Sequence, residues 1–269
     1  MNPSNSGRLD EQGRRSFAQR PARFVIVLLV AILAVYVIVG GVVSHVLGLP
    51  AMLVVVFADV PLALAGLLVL ARRGGLRAAG LQPQPWGRAF ALTAPLFLPA
   101  VVTLTLALLF GGSWEPGRVV VFALLALLVG LTEEVLFRGL AYTALRGLGV
   151  GRAVVGSALI FGVVHLLNIA QGADVLATVL QVVYAFTVGC AFAAGLEAGG
   201  RLLPLIAAHA ATDLFGFISD GGVVNGPDHA ALSAIITAAF IVVFVVYTVR
   251  TLRLSAGARG TAGARSTSM

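Results

Sequence analysis

The chain has 269 residues, of which 59% are hydrophobic and only 11% charged, with a mean hydropathy of +1.01 and a formal net charge of +7. Water-soluble domains carry roughly 25% charged residues, so this chain cannot coat a water-facing surface, and a lipid bilayer is the solvent that fits. The positive charge does not mark a nucleic-acid binder: all 18 basic residues are Arg, and most lie between or outside the apolar runs instead of clustering with aromatics on one face.

Residues 1–22 are polar, contain Arg8, Arg14, Arg15 and Arg20, and read as a disordered cytoplasmic segment. The apolar run 24–46 is too long for the core of a signal peptide and is predicted as the first membrane helix. Further runs of about 20 apolar residues follow at 51–71, 89–110, 119–146, 152–169, 174–197, 201–219 and 230–250. Breakers separate them, among them Gly48-Leu49-Pro50, Pro83 with Pro85, Gly111-Gly112 and Gly221-Gly222. Open backbone is intolerable in lipid and no run alternates as a barrel strand would. The expected fold is an all-α polytopic membrane protein, about eight transmembrane helices in one bundle spanning 23–253, with a disordered cytoplasmic tail at 254–269. The loop from Arg72 to Arg88, with Trp86, reads as an interfacial anchor. Cys190 is the only cysteine, so no intrachain disulfide forms, and it reads as a small buried hydrophobe.

Arginines at the span ends set the expected direction. With the N-terminus inside, the inner segments hold five Arg before the first span, then Arg72, Arg73, Arg77, Arg88, Arg146, Arg152, Arg201, Arg250, Arg253, Arg259 and Arg265; the outer segments hold only Arg118. The positive-inside rule then predicts a cell-membrane protein with both termini cytoplasmic.

Ionisable residues inside the spans are the features that need a cause. Glu133, Glu134 and Arg138 fall in the fourth run, His165 in the fifth, and His209 and Asp213 in the seventh. The formally charged members would together cost on the order of 10 kcal/mol if isolated in lipid, so they are expected to face one another. Glu134 and Arg138 are spaced to share a helix face, as are His209 and Asp213. Glu133 points about 100° away from Glu134 on an ideal helix and is free for another task. Counted from the inner span ends, Glu133 and His165 lie roughly 20 Å deep and His209 about 12 Å deep. Asp59 also falls mid-span, beside Pro61, and reads as a cap for the backbone that Pro61 frees or as polar lining, with no partner assignable. His45 and His229 read as solvated.

Glu133-Glu134-Val-Leu-Phe-Arg138 resembles the EExxxR motif of the CPBP (CAAX protease and bacteriocin-processing, or Abi) family of intramembrane proteases. Phe161-Gly-Val-Val-His165 resembles that family's FxxxH motif, and His209-Ala-Ala-Thr-Asp213 its HxxxN/D motif, in the family's order. The resemblance covers roughly residues 70–220; Asp213 stands where the family often has Asn. It implies an intramembrane endopeptidase, a metalloprotease or glutamate protease of CAAX type, acting on a peptide or protein substrate among membrane lipids. Amide hydrolysis needs a base to activate water and a group to hold the oxyanion. Glu133, His165, His209 and Asp213 are the expected catalytic residues, with Glu133 as base and Glu134 and Arg138 as supports. No cofactor is fixed; the same four residues are the ligand set if a zinc ion is bound, although the HExxH helix of soluble zinc proteases is absent. Two other readings stay open. A proton-coupled transporter would use the same residues as a relay, against which stands the lack of a halved repeat. A non-catalytic scaffold or bacteriocin-immunity protein would keep the fold without turnover.

Overall fold

In lipid every backbone polar group must be satisfied within its own segment, and the chain responds by forming helices almost throughout. A computed structural model describes residues 20–50, 52–72, 81, 86–219 and 230–266. The expectations placed on Arg8, Arg14, Arg15, Arg73, Arg77, the Pro83–Pro85 and Gly221–Gly222 breakers and His229 lie outside the described residues. Among the described residues there is no strand.

Among the described residues, seven helices are long and apolar enough to cross a membrane: α1 (Pro21–Val46), α2 (Met52–Arg72), α3 (Ala89–Phe110), α4 (Pro116–Leu148), α5 (Val150–Ala170), α6 (Val175–Glu197) and α8, whose apolar part is Ala231–Gly257. The expected seventh span is present as α7 (Leu202–Ile218), an apolar helix of 17 residues. The helix of α8 continues from Ala230 through Ser266, where the sequence reading placed a disordered tail from residue 254.

Local chemistry sets the helix ends. Glu115 caps α4 by accepting from the backbone N–H groups of Gly117 and Arg118, and Pro116 occupies the first turn, where its missing N–H costs nothing. Asp174 caps α6 by accepting from the N–H of Ala177 at 2.8 Å. Pro95 lies within a 3-10 turn, Ala94–Phe97, inside α3, and Pro99 follows two residues after it.

Helix α4 pairs with α7 and α2, α7 also leans on α3, and α6 lies between α5 and α8. The apolar core between them includes Leu70, Val135, Phe137, Leu140, Phe161 and Ile206. Two glycines fix the spacing around the polar centre. A Cβ at Gly130 would lie 3.1 Å from the backbone N of Ala210 and 3.2 Å from the carbonyl O of Ile206, so α4 and α7 meet backbone to backbone there. A Cβ at Gly162 would lie 3.0 Å from the carbonyl O of Val182, which brings α5 equally close to α6. Small residues are what allow membrane helices to approach in this way.

Candidate active site

The polar centre begins one turn past Gly130. There α4 changes from an α-helix ending at Glu133 to a π-helical stretch, Glu134–Tyr142. Such stretches are rare and concentrate at functional sites. Every residue of the stretch is buried.

Glu134 is fully buried, and its Oε1 accepts from Arg138 Nη1 at 2.8 Å. The two side chains therefore do share a face. The same Oε1 lies 2.9 Å from His209 Nδ1 of α7. A carboxylate oxygen accepts, so Nδ1 of His209 is the donor, and Glu134 fixes that ring directly instead of from a distance.

The opposite nitrogen of His209, Nε2, lies 3.3 Å from Glu133 Oε2 and 3.6 Å from Asp213 Oδ2. The 100° offset expected between neighbouring residues thus places Glu133 and Glu134 at opposite ends of a single imidazole. Asp213, four residues after His209, shares its face as expected.

Arg138 is 1% exposed. Its guanidinium lies over the Phe161 ring at 4.4 Å and near the Phe192 ring at 5.2 Å. A planar cation between two aromatic faces is held by stacking as well as by its carboxylate. Phe161 also stands edge-on to both histidines, 5.0 Å from His165 and 6.1 Å from His209 between ring centroids. Phe161 is therefore both core and a wall of the site.

His165 caps the main helix of α5, and its Nδ1 lies 2.8 Å from the carbonyl O of Phe161. A carbonyl only accepts, so Nδ1 carries the proton and Nε2 is left to act. A cavity of about 120 Å³ is lined by His165, His209 and Asp213 together with Phe161 and Phe192. Glu133 meets this group through His209 and does not line the cavity itself.

Gln181, Tyr184 and Thr212 also line the cavity and carry no signal in the sequence. Gln181 is held by Asn168, whose amide donates to it at 2.8 Å. The periodicity of α6 is uniformly apolar, and one tyrosine or glutamine in such a run does not announce which face it occupies.

Zinc needs ligands about 2.0–2.2 Å away, converging on one point. Among the described residues no group of three or more His, Cys, Asp or Glu side chains is set to hold an ion. Both nitrogens of His209 already face carboxylates. As placed, these side chains do not converge on one point at such distances.

A family model described as type II CAAX prenyl endopeptidase Rce1-like matches residues 113–215. That stretch is similar to CAAX proteases, in agreement with the resemblance carried by the three motifs. It runs from just before α4 past Asp213 and so contains all three motifs and both glycine contacts. No curated protein and no solved structure matches the chain. CAAX proteases are peptidases, so a peptide or protein is the substrate class. With its run of apolar helices, this chain is an integral membrane protein and, in general terms, an intramembrane protease.

Proposed function

We propose that the protein is an endopeptidase that hydrolyses a peptide bond near the cytoplasmic side of the membrane, with Glu133 as general base. The observation that carries this reading is the arrangement around His209: one imidazole joined to Glu134 at one nitrogen and facing Glu133 and Asp213 at the other. Glu133 takes a proton from water, and the resulting hydroxide attacks the scissile carbonyl carbon. His165, its Nδ1 committed to the Phe161 carbonyl, presents Nε2 to accept a hydrogen bond from that water. His209, with Nδ1 anchored on Glu134, donates from Nε2 to the oxyanion, and Asp213 steadies that side of the ring. The proton held by Glu133 then passes to the leaving amine, so the peptide is cut and the base is restored.

Glu134 and Arg138 act as supports, holding His209 so that no reorganisation is needed as charge develops. In the same reading residues 23–253 form the protease domain, and both termini face the cytoplasm of the cell membrane, as the lone outer Arg118 supports. The catalytic type that fits is a glutamate-activated water.

The family's description specifies a prenylated CAAX terminus, and a peptide of that kind is the natural first probe. The test is hydrolysis by purified protein of an internally quenched peptide ending in S-farnesyl-Cys-aliphatic-aliphatic-X, beside an unprenylated peptide library. Cleavage abolished by Glu133→Gln is expected. Full activity in Glu133→Gln would end the proposal.

A further inference from the structure

Helix α6 presents one continuous face to the cavity beside His165. Gln181, Tyr184, Val188 and Phe192 lie three or four residues apart, and all of them line it. Exposure falls along that face, from exposed Gln181 through half-buried Tyr184 and Val188 to buried Phe192. The cavity is therefore open at the Gln181 end and closed at the Phe192 end, and a substrate entering it passes Gln181 first.

The polar side chains of α6 divide into two kinds. Thr178 and Thr187 are satisfied by their own helix, their hydroxyls donating to the carbonyls of Asp174 and Val183 at 2.8 Å each. The Gln181 carboxamide reaches instead to α5, where its Oε1 accepts from Asn168 Nδ2 at 2.8 Å. Among the described residues its Nε2 donates to no protein group. Asn168 is fixed in turn, because its backbone N–H donates to the His165 carbonyl at 3.1 Å. A chain of hydrogen bonds thus runs from the proposed site to the cavity mouth and leaves one amide nitrogen there with both its hydrogens.

Much of the remaining polar lining accepts. His165 has committed Nδ1 to the Phe161 carbonyl, so its Nε2 accepts. The Thr212 hydroxyl has spent its hydrogen on the Ala208 carbonyl at 2.9 Å, and Asp213 offers carboxylate oxygens. His209 Nε2 already faces Glu133 and Asp213. A bound peptide brings main-chain carbonyls into this space, and a carbonyl taken out of water without a donor is costly. The uncommitted donors are the Gln181 amide and the Tyr184 hydroxyl. Gln181 is the one at the mouth, and a second helix holds it in a fixed orientation.

We propose that Gln181, oriented by Asn168, is a substrate-binding residue whose Nε2 donates to a main-chain carbonyl of the peptide other than the scissile one. It reads the backbone and is indifferent to a lipid carried on a side chain. Asn168 acts only through Gln181 and is a positioning residue. The proposal rests on the reading of this cavity as the site of peptide hydrolysis.

The experiment measures KM and kcat separately for the purified full-length chain on the S-farnesyl peptide and on its unprenylated counterpart. Gln181→Met, close in size but without a donor, should raise KM on the order of 3- to 10-fold, the scale of one hydrogen bond. Its kcat should stay within about twofold, and both peptides should respond alike. Asn168→Ala should move KM the same way by less, and added to Gln181→Met it should cost nothing further. Peptides in which one non-scissile carbonyl is reduced to a methylene locate the partner: wild type should lose the same factor on one of them, and Gln181→Met should not. If Gln181→Met does not fold, the wild-type response to that series decides. An unmoved KM in Gln181→Met, a loss confined to kcat, a KM rise on the farnesyl peptide alone, or a wild type indifferent to every reduced carbonyl would overturn the proposal. Binding of a labelled unprenylated peptide to Glu133→Gln, with and without Gln181→Met, is run in parallel. Full activity in Glu133→Gln defeats the underlying reading, whereas an inactive Glu133→Gln whose Kd does not respond to Gln181→Met defeats the Gln181 proposal alone.

Discussion

Helix α4 carries two clusters of charge, and they are built on opposite plans. Near its C-terminal end Arg146 donates from Nε and Nη2 to the two oxygens of Glu197, at 2.7 and 2.6 Å, and the Tyr142 hydroxyl donates to the same carboxylate. Every strong acceptor there is used. At the polar centre, by contrast, Glu134 Oε2 and Arg138 Nη2 are buried without a protein partner, and His209 is spread over three carboxylates. A saturated ion pair ties α4 to α6 and has nothing left to offer a substrate. An under-satisfied one stores the hydrogen-bonding capacity that a developing charge can use. Where charge sits in the membrane is thus less informative than how completely it is paired.

The largest separation between the two clusters should appear in turnover. Glu133→Gln is expected to lower kcat by on the order of 100- to 10,000-fold while the protein still folds. Glu197→Gln, in the same peptide assay, should change kcat by less than about tenfold, since the carboxylate it alters touches no proposed reacting group. Equal losses in the two variants would erase the distinction drawn above.

Stability should separate them in a second way. Glu134 and Arg138 are 0% and 1% exposed, whereas Arg146 is 35% exposed beside a Glu197 at 7%. Removing one partner of a fully buried pair leaves a naked charge and costs about 3–5 kcal/mol. Removing the partly exposed Arg146 leaves a Glu197 that still accepts from the Tyr142 hydroxyl, and should cost less. Thermal unfolding in detergent should therefore rank Arg138→Ala well below Arg146→Ala. The reverse order would mean that the Arg146–Glu197 clamp, and not the polar centre, holds the bundle together.

The sequence made one cluster legible and hid the other for a physical reason. Glu133, Glu134, Arg138, His209 and Asp213 are expensive at mid-membrane, so their presence alone predicts that they meet, and the four-residue spacing gives the Glu134–Arg138 contact in advance. Arg146 and Glu197 stand at span ends, where charges are cheap, and nothing in their spacing pairs residues 51 positions apart. Nor does any spacing pair Tyr36 with Asp59, 23 positions apart. The eight apolar runs could be marked off because lipid demands them, and their ends fall within a few residues of the helices except at α8. What the runs could not give is register. The direct bond from Glu134 to His209 depends on where α4 turns π-helical and on the backbone contact at Gly130, neither of which apolar periodicity encodes.

That contact can be tested by itself. In Gly130→Ala the new methyl must be accommodated 3.1 Å from one backbone atom of α7 and 3.2 Å from another, so the helices have to part. A displacement approaching 1 Å at a catalytic group can cost on the order of 100-fold, and activity should fall on the order of 10- to 100-fold. Gly216→Ala on α7, where a Cβ meets nothing within 4 Å, is the control and should be close to neutral. Equal activity in both variants would show that the approach of α4 and α7 is incidental to catalysis.

The smallest effect is expected at the other end of the same helix, where a carboxylate meets water. Glu115 accepts from the backbone N–H of Gly117 at 2.9 Å and of Arg118 at 2.7 Å. These hydrogen bonds, with the Arg118 charge adding to them, hold its carboxyl below the usual glutamate range. A group whose folded value is depressed contributes stability that is fully present above its unfolded value and is lost as pH falls through the folded one. Glu115→Ala should therefore unfold at a slightly lower temperature than wild type at neutral pH, and the two should converge in acid. Because the cap is exposed, salt should shrink the difference as well. Peptide hydrolysis should be unaffected at any pH where both proteins are folded. A Glu115→Ala loss in turnover comparable to that of Glu133→Gln would break the contrast, for a fully paired carboxylate in water would then matter as much as an under-paired one in the membrane.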